Sequence, residues 1–402
     1  MKNSVRTHRH IETIVLASDV DFDGFPFSGV LSLLKDYLTY LPADVAKRIV
    51  LVGITTQKDM VGKESQRQFG SNVYRFLPVA YVRPGSRGSI RLAYNLGVIK
   101  HYLTIRAIAP DVIYAHSPES GLFLRLLFPT KKVIVHFHGI ENPIESCKYP
   151  VLRNSFLVGL YDFFAVRLLI YLANRVIINI DTERFKNFIS RYNEPRAKFV
   201  RIPPLINVQL FRPTPKSEMR QQLGLAETDR VLVFHGRLEY AKGVDVVIDA
   251  LKIVVSQLPN THLLIIGDGG KKESLIQQCQ HLGLEQQVIF MGSVPREKIG
   301  SYLSCADVFV TGTYFEAISV ALLEAIACGL LVVTTKVGGV NDIIVADYNG
   351  FCLEHRDPTE MAERIVSCFE MNKDIARENV LATAEQFYPE KVIPQIVQVL
   401  LN

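Results

Sequence analysis

Short apolar runs separated by longer amphipathic stretches recur along the whole chain. They lie at 11–18, 48–54, 111–115, 132–136 and 176–180 in the first half, and at 230–235, 261–266, 288–290, 308–310 and 330–334 in the second. Apolar runs of this length are typical of strands buried on both faces of a parallel sheet, and the stretches between them are long enough for helices. The pattern therefore predicts an α/β fold with two Rossmann-like halves.

The junction between the halves is predicted from a pair of prolines. Pro203 and Pro204 follow a short apolar run and stop regular structure there. We therefore predict a first domain at 1–205 and a second at 206–375. Residues 376–402 have a helical pattern that breaks at 388–389, and this segment could cross back to the first domain.

The segment 155–173 is the most membrane-like part of the sequence. Asp162 and Arg167 interrupt its apolar run, which argues against a helix that spans a bilayer. Two interpretations remain open, a helix buried in the core and a helix that rests on a membrane surface.

Composition narrows the class of protein without identifying its chemistry. The chain has 402 residues, of which 48% are hydrophobic and 21% charged, with a formal charge of +5. This mild charge does not predict a nucleic-acid partner. Six cysteines without a Cys-x-x-Cys pair favour reduced thiols in the cytoplasm, and the basic first ten residues lead into a run too short for a signal peptide.

Residues 312–339 carry the main candidate chemistry. A strand end is followed by a loop with Glu316, the start of a helix at 318–320, and Glu324 inside that helix. Amides at the start of a helix bind anions, and carboxylates accept hydrogen bonds from hydroxyl groups. A sugar nucleotide has hydroxyl groups on both sides of its diphosphate, so this arrangement predicts such a ligand.

A second loop in the same half contains cations. Gly236 and Arg237 follow a strand, and Lys242 precedes the next helix, which suits a diphosphate. Taken alone, this loop could equally be a glycine turn with solvated basic residues. Gly267 and Gly269 end another strand and are interpreted as a tight turn beside the same ligand, because the full dinucleotide spacing is absent.

Metal-binding patterns are weak in this sequence. The stretch 19–24 contains three aspartates in the spacing of the first half of an EF-hand, but Val30 occupies the twelfth position and a strand precedes the stretch. We interpret it as a loop of the first domain on the acceptor side. His116, Glu119 and His136 are also assigned to the core or the cleft, so no metal site is predicted.

Together these residues resemble the retaining glycosyltransferases of the group 1 type with the GT-B fold, family four of the sequence classification. The motifs that carry the resemblance are Gly236-Arg237-Leu238 with Lys242-Gly243, Gly267-Asp268-Gly269, Glu316 and Glu324 with seven residues between them, Cys328-Gly329 and Gly338-Gly339. In the first half it is thinner and rests on His138-Gly139, 173–176 and 202–211. The resemblance implies two Rossmann-like domains that face each other across a cleft, the first on the acceptor side and the second holding the donor.

The resemblance also implies a role for each site residue. The residues expected to be catalytic are Glu316, Arg237, Lys242 and His138, and those expected to bind the donor are Gly236, Glu324, Ile318, Ser319, Val320, Gly267 and Gly269. In this assignment the two cations hold the diphosphate, Glu324 binds the ribose and Glu316 the transferred sugar. His138 would reach the donor sugar from the first domain. No cofactor or metal is expected beyond the donor, a UDP-sugar or a GDP-sugar.

The function that the resemblance implies is transfer of a hexosyl unit, with retention, to a glycan or lipid-linked acceptor in polysaccharide or glycolipid biosynthesis. It would take place in the cytoplasm, with peripheral contact to the inner membrane face through 155–173 as an option. Alternatives are a GT-B-like epimerase or phosphorylase, or a catalytically silent subunit that binds nucleotide sugars. Ser319 and residues 204–207 depart from the family pattern, which leaves the acceptor open.

Overall fold

A computed structural model describes residues 11–25, 29–85, 89–138, 155–179, 182–192, 194–314 and 319–402. The chain divides into two compact units, Met1–Leu205 with Val392–Asn402, and Ile206–Lys391. The division at 205 lies beside the proline pair. Residues 376–391 belong to the second unit, so the part of the chain that returns to the first unit is 392–402, shorter than the segment expected from the sequence.

The first unit is built on a sheet of eight described strands. They are β1 (Ile14–Ala17), β2 (Ile49–Thr55), β3 (Ser65–Phe69), β4 (Asn72–Tyr81), β5 (Val112–Ala115), β6 (Lys132–Phe137), β7 (Arg175–Ile178) and β8 (Phe199–Arg201). Their order in the sheet is β3-β4-β2-β1-β5-β6-β7-β8, and all pairs are parallel except β3 with β4. This order puts β1 in the middle, beside β2 and β5.

Helices cover both faces of this sheet. They are α1 (Gly29–Tyr40), α2 (Ala43–Ala46), α3 (Ile90–Lys100), α4 (Tyr102–Ala107), α5 (Pro118–Leu127), α6 (Ser155–Tyr161), a π-helical turn (Asp162–Arg167), α7 (Leu168–Leu172) and α8 (Thr182–Ser190). Successive side chains of a strand point to opposite faces, so β1 sends Ile14 and Leu16 into one core and Val15 and Ala17 into the other. Burial on both faces explains why β1 has no polar residue.

The second unit contains a wholly parallel sheet among the described residues. Its strands are β9 (Arg230–His235), β10 (Thr261–Ile266), β11 (Val288–Gly292), β12 (Val308–Thr311), β13 (Leu331–Thr335) and β14 (Gly350–Leu353), in the order β11-β10-β9-β12-β13-β14. Its helices are α9 (Lys216–Gln222), α10 (Val244–Gln257), α11 (Lys272–Leu282), α12 (Arg296–Cys305), α13 (Val320–Ala327), α14 (Pro358–Glu370) and α15 (Lys373–Ala384), and α16 (Pro389–Leu401) leads back to the first unit.

This strand order has a functional consequence. The chain runs outward in one direction through β9, β10 and β11, and in the other through β12, β13 and β14. Loops that leave neighbouring strands in opposite directions open a crevice at the carboxyl ends of β9 and β12, which is where ligands bind in open α/β sheets. The predicted α/β fold with two Rossmann-like halves is confirmed.

The segment 155–173 differs from a simple core helix. It consists of α6, the π-helical turn and α7, and it buries Ala165, Leu169 and Ile170. Phe163 and Tyr171, however, are 58% and 69% exposed. One side of the segment therefore packs on the sheet while another presents aromatic side chains to solvent. None of the helices in the described ranges combines the length and apolar character needed to cross a bilayer.

Candidate functional site

Three loops meet at the carboxyl edge of the second sheet. Residues 236–243 follow β9, 267–271 follow β10 and 312–314 follow β12. The first loop is bonded to the second by the Leu238 amide, which donates to the Asp268 carbonyl at 2.9 Å, and by the Lys271 amide, which donates back to the Leu238 carbonyl at 2.9 Å. The carbonyl of Ala241 accepts from the Tyr314 amide at 2.8 Å. The loop 236–243, which contains Arg237 and Lys242, is thus hydrogen-bonded to the loop after β10 and to the loop after β12.

Glycine permits the close approach of these loops at two positions. A Cβ atom at Gly267 would lie 1.9 Å from the Gly236 carbonyl oxygen, and one at Gly243 would lie 2.0 Å from the Gly312 carbonyl oxygen. Gly267 has a φ of 141° and Gly243 a φ of 59°, both unfavourable for residues with a side chain. These glycines therefore allow the backbones of neighbouring loops to pack in direct contact.

The two predicted cations differ in exposure. Arg237 is exposed, while Lys242 is half-buried at the end of a short 3-10 turn, Tyr240–Lys242. The ring of Tyr240 stacks on that of Tyr314 with centroids 4.4 Å apart, which joins this turn to the loop after β12. Both cations therefore lie at the crevice, and Arg237 is available to a ligand from solvent.

Helix α13 closes the other side of the crevice. Ser319 is its N-cap and accepts a hydrogen bond from the Leu322 amide at 3.4 Å. Glu324, one turn further on, is only 5% exposed. One of its carboxylate oxygens lies 3.5 Å from His235 Nδ1 and the other 3.5 Å from Arg296 Nη2. The helix therefore presents its N-terminus and a buried carboxylate beside the end of β9.

Most of the predicted catalytic and donor-binding residues share this edge. Gly236, Arg237, Lys242, Gly267, Gly269, Ser319, Val320 and Glu324 all lie at or next to the carboxyl ends of β9, β10 and β12. Glu316 and Ile318 lie outside the described residues. Arg296 was not predicted, because it opens α12, far in sequence from every motif; its contact with Glu324 appears only in the fold.

A cavity of about 430 Å³ lies at the opposite edge of the same sheet. It is lined by the starts of β9, β12 and β13 and by an ionic network in which Asp307 contacts Lys216 Nζ at 2.7 Å and Arg220 Nη2 at 3.0 Å. Ligands of parallel α/β sheets bind at the carboxyl ends of strands, and this cavity is at the amino ends. We therefore assign the Asp307 network to stability.

His138 lies in the first unit, just after β6, within a stack of three histidines. Its Nε2 is 2.9 Å from His116 Nδ1, and its ring centroid is 4.4 Å from that of His136. His136 is held at both ring nitrogens: its Nε2 donates to Asn179 Oδ1 at 2.7 Å, and its Nδ1 accepts from the Tyr114 hydroxyl at 2.6 Å. The stack is thus a rigid, hydrogen-bonded group.

One ring nitrogen of each histidine lies within 4.8 Å of the others, as in a metal site. The rings of His136 and His138 are nearly parallel, however, at 21°, and those of His116 and His138 at 15°. Lone pairs lie in the ring plane, so stacked rings do not direct them to one point, and both nitrogens of His136 are already used. The stack favours packing and hydrogen bonding over chelation.

Burial keeps these histidines neutral. It lowers the pKa of His136 to about 4, although the hydrogen bond to Asn179 opposes the shift. Burial and the neighbouring histidines lower the pKa of His116 well below its usual value, and burial followed by His136 does the same for His138. In the unfolded chain each would take up a proton below about pH 6.5.

Acid should therefore destabilise the first unit. Because the unfolded chain binds these protons and the folded chain does not, stability is full above pH 6.5 and falls as the pH drops toward 4. For His136 alone the loss is about 3 kcal/mol, at roughly 1.4 kcal/mol per pKa unit. Urea denaturation between pH 7 and 4.5 measures it. A His136→Gln variant cannot take up the proton and should show a shallower pH dependence; equal slopes would contradict the assignment.

The three aspartates of 19–24 contact three different partners. Asp21 Oδ2 accepts from the Thr56 amide at 3.0 Å, Asp23 pairs with Arg67 at 2.7 Å, and Asp19 lies 3.7 Å from Arg91 Nε. Burial raises the pKa of Asp19 above its usual range, while the Arg91 guanidinium opposes that shift. The loop is held by protein groups, with Asp19 at the carboxyl end of β1.

Comparison with known proteins finds a family match within the second unit. The family described as Glycosyl transferases group 1 matches residues 215–387. The D-inositol 3-phosphate glycosyltransferase of Thermobispora bispora is 29% identical over 199 residues, which are 47% of this chain and 46% of that protein. The N-acetyl-alpha-D-glucosaminyl L-malate synthase of Bacillus anthracis is 23% identical over 327 residues, 81% of this chain and 79% of that protein. The match to the first relative thus spans about half of its length.

A solved structure resembles the chain over nearly its whole length. The Anabaena protein HepE in complex with UDP has a TM-score of 0.75 at 23% identity and covers 96% of this chain and 99% of its own. The same protein has also been solved with UDP-glucose, with a TM-score of 0.73 at 24% identity over 96% of this chain and 99% of its own. At these identities the likeness establishes the fold.

Proposed function

We propose that this chain, whose residues 215–387 match the group 1 glycosyl transferase family and whose fold is GT-B, transfers a hexosyl unit from a nucleotide-diphosphate sugar to a glycan or lipid-linked acceptor. The transfer retains the anomeric configuration, and the donor is a UDP-sugar or a GDP-sugar. The proposal places the reaction in polysaccharide or glycolipid assembly. Five free thiols among the described residues, four of them buried, favour a reducing compartment such as the cytoplasm.

One observation gives the main support for the donor site. The loop with Arg237 and Lys242 contacts the loop that leads to α13, so two cations and a helix N-terminus share one crevice. A diphosphate needs such a set of cations and amides. Glu324, buried one turn inside α13, offers a carboxylate for ribose hydroxyl groups. The UDP and UDP-glucose complexes of HepE support a nucleotide ligand for this fold.

The chemistry follows from where charge develops. The bond between the anomeric carbon and the diphosphate oxygen breaks, the acceptor oxygen forms the new glycosidic bond, and the acceptor proton passes to the leaving diphosphate. Negative charge grows on the phosphate and positive charge on the sugar ring. Arg237 and Lys242 then stabilise the transition state more than the ground state. We assign to Glu316 recognition of the sugar and to His138 contact with its hydroxyl groups, as the resemblance implies.

Thermal denaturation with a panel of donors tests the proposal. At a ligand concentration a hundredfold above Kd, binding stabilises the folded chain by about 2.7 kcal/mol, so one of UDP-glucose, UDP-galactose, UDP-N-acetylglucosamine or GDP-mannose should raise Tm by several degrees. Glu324→Gln should weaken this shift, and the exposed Glu354→Gln should keep it. If no nucleotide sugar or free nucleotide raises Tm, the donor site is wrong.

Product analysis then separates the remaining alternatives. A transferase releases the nucleoside diphosphate only when an acceptor is present. An epimerase converts the donor without release, a phosphorylase requires phosphate, and a silent subunit binds the donor but turns over nothing. Each of these three results would replace the proposed activity while leaving the donor site in place.

We also propose that the first unit contacts a membrane surface through 155–173. Phe163, Phe164 and Tyr171 are exposed there, and neighbouring α5, which packs on α7, exposes Phe123 and Leu126. Aromatic side chains on an exposed helical face are typical of helices that lie in the interface of a bilayer. This contact would bring the enzyme to a lipid-linked acceptor.

Vesicle flotation tests the membrane contact. The protein should float with vesicles of phosphatidylglycerol and phosphatidylethanolamine at low salt, and Phe163→Ser with Phe164→Ser should weaken binding by about two orders of magnitude or more, since each buried aromatic contributes about 1.5–3 kcal/mol. Val345→Ser removes an exposed apolar side chain of the second unit and is the matched control. Absence of flotation, or an equal loss in the control, would argue against this surface.

A further inference from the structure

Buried polar atoms without partners gather at the carboxyl edge of the first sheet. Ser18 directly follows β1 and His116 directly follows β5, and the register pairs Ala17 with Ala115, so these two residues are neighbours. Ser18 is 1% and His116 5% exposed. Neither Ser18 Oγ nor His116 Nε2 has a hydrogen-bond partner among the described residues. Leaving such groups unpaired costs free energy, so each requires an explanation.

Charged groups stand beside these atoms. Arg91, at the start of α3, contacts Glu119 Oε1 at 2.8 Å and lies 3.7 Å from Asp19 Oδ2. The hydroxyl of Tyr161 donates to the same Glu119 oxygen at 2.9 Å. The other oxygen, Glu119 Oε2, is buried and has no partner in the described part of the chain, and the same holds for Asn95 Oδ1, one turn along α3 from Arg91. We call Ser18, Asp19, Arg91, Asn95, His116 and Glu119 the edge cluster.

The unpartnered atoms of the edge cluster are mostly hydrogen-bond acceptors. Glu119 Oε2 and Asn95 Oδ1 can only accept, the Ser18 hydroxyl can accept as well as donate, and His116 Nε2 accepts or donates according to its tautomer. The carboxyl groups of Asp19 and Glu119 face the single Arg91 guanidinium, so the edge cluster offers no excess positive charge to an anion. A fully ionised phosphate brings no donor and would be repelled, whereas a hydroxyl group both donates and accepts.

We infer that the edge cluster binds a neutral, hydroxyl-rich part of the acceptor, such as a sugar ring or another polyol, and selects against a phosphate at that position. The inference rests on the proposed transferase function, to which it adds the chemical class of the acceptor. Ser18 and Glu119 are the residues that read the hydroxyl groups, and Arg91 and Tyr161 position Glu119. In this respect the chain would differ from a relative whose name specifies an inositol 3-phosphate.

Ligand-observed NMR on the full chain tests the inference without requiring turnover. The probes are glucose, octyl β-D-glucoside and glucose 6-phosphate, each with and without UDP. Saturation transfer should reach the two neutral probes and be weaker for glucose 6-phosphate. Glu119→Gln keeps the size of the side chain and should weaken binding of the neutral probes about tenfold, as expected for one hydrogen bond to a charged group.

Controls separate this inference from the donor site. Glu64→Gln changes an exposed carboxylate of the same unit and should leave all signals unchanged. Ser18→Ala provides a second variant if Glu119→Gln does not fold. The inference is overturned if the neutral probes do not bind, or if they bind equally well to the wild-type chain and to Glu119→Gln. If UDP still binds to every variant in that case, the proposed function stands. Stronger binding of glucose 6-phosphate than of glucose also overturns the inference, and loss of UDP binding to the wild-type chain overturns the proposed function.

Discussion

Arg237→Ala should lower kcat for transfer by two to three orders of magnitude. The side chain is exposed at the crevice, so its loss leaves the fold intact while it removes one of the charges that stabilise the leaving diphosphate. Removing one preorganised group of this kind costs about 2.7–4 kcal/mol of transition-state stabilisation. Steady-state kinetics with saturating donor, together with donor Kd, measure the effect. Most of the loss should appear in kcat, because charge at the diphosphate grows in the transition state.

Two comparison variants sharpen this result. Arg237→Lys keeps the charge but loses the planar fork that binds two phosphate oxygens, so an intermediate loss is expected. Lys373→Ala removes an exposed cation at the opposite edge of the same sheet and should retain full activity. Glu316→Gln should also lower the rate if Glu316 recognises the sugar. If Arg237→Ala and Glu316→Gln both transfer at the wild-type rate, the site assignment fails.

Asp307→Asn should destabilise the second unit by about 3–5 kcal/mol, the usual cost of leaving a buried charge without its partner. Arg220 is only 3% exposed, and Asp307 supplies its counter-charge at 3.0 Å. The same carboxylate accepts from the Val231 amide at 2.9 Å, so it also anchors the start of β9. Urea denaturation followed by a probe in the second unit measures the change as a lower midpoint with an unchanged m-value.

The matched control for this prediction removes the other cation. Lys216 also contacts Asp307, at 2.7 Å, but its side chain is 39% exposed. Lys216→Met should therefore cost less than about 1 kcal/mol, as is typical of exposed ion pairs. A loss from Lys216→Met as large as that from Asp307→Asn would show that burial of Arg220 is not the cause.

Hydrophobic pattern predicted the second sheet more closely than the first. The runs at 230–235 and 261–266 coincide with β9 and β10, because residues 231–234 and 263–266 of these strands are apolar and buried. Strand β3 was not predicted, since its Ser-Gln-Arg-Gln-Phe sequence places polar residues at an edge of the sheet. It is held by antiparallel pairing with β4, and the pattern of residues within a short stretch of sequence does not reveal this pairing.

The site residues, like the strands, include some that the sequence predicted and some that it did not. Gly236, Lys242 and Glu324 were predicted because each lies in a short motif near a strand end. The edge cluster was not predicted as a group, because Ser18 and His116 are almost a hundred residues apart and meet only through the register of β1 with β5. Asp19 was interpreted as part of an acceptor-side loop, but its companions Arg91 and Asn95 lie on a helix without any motif. Residues that become neighbours only through the fold cannot be grouped from their spacing in the sequence.

Residues 392–402 belong to the first unit, and Val392, Ile396 and Leu400 are buried in its core with Leu34. The Lys132 ammonium donates to the Val399 carbonyl at 2.8 Å, so β6 also depends on this segment. During synthesis the ribosome makes residues up to 205 of the first unit before the second unit, but supplies 392–402 only after the whole second unit. The first unit is therefore completed only after the second unit has been made, and termination of translation before residue 392 would leave its core open to chaperones and proteases.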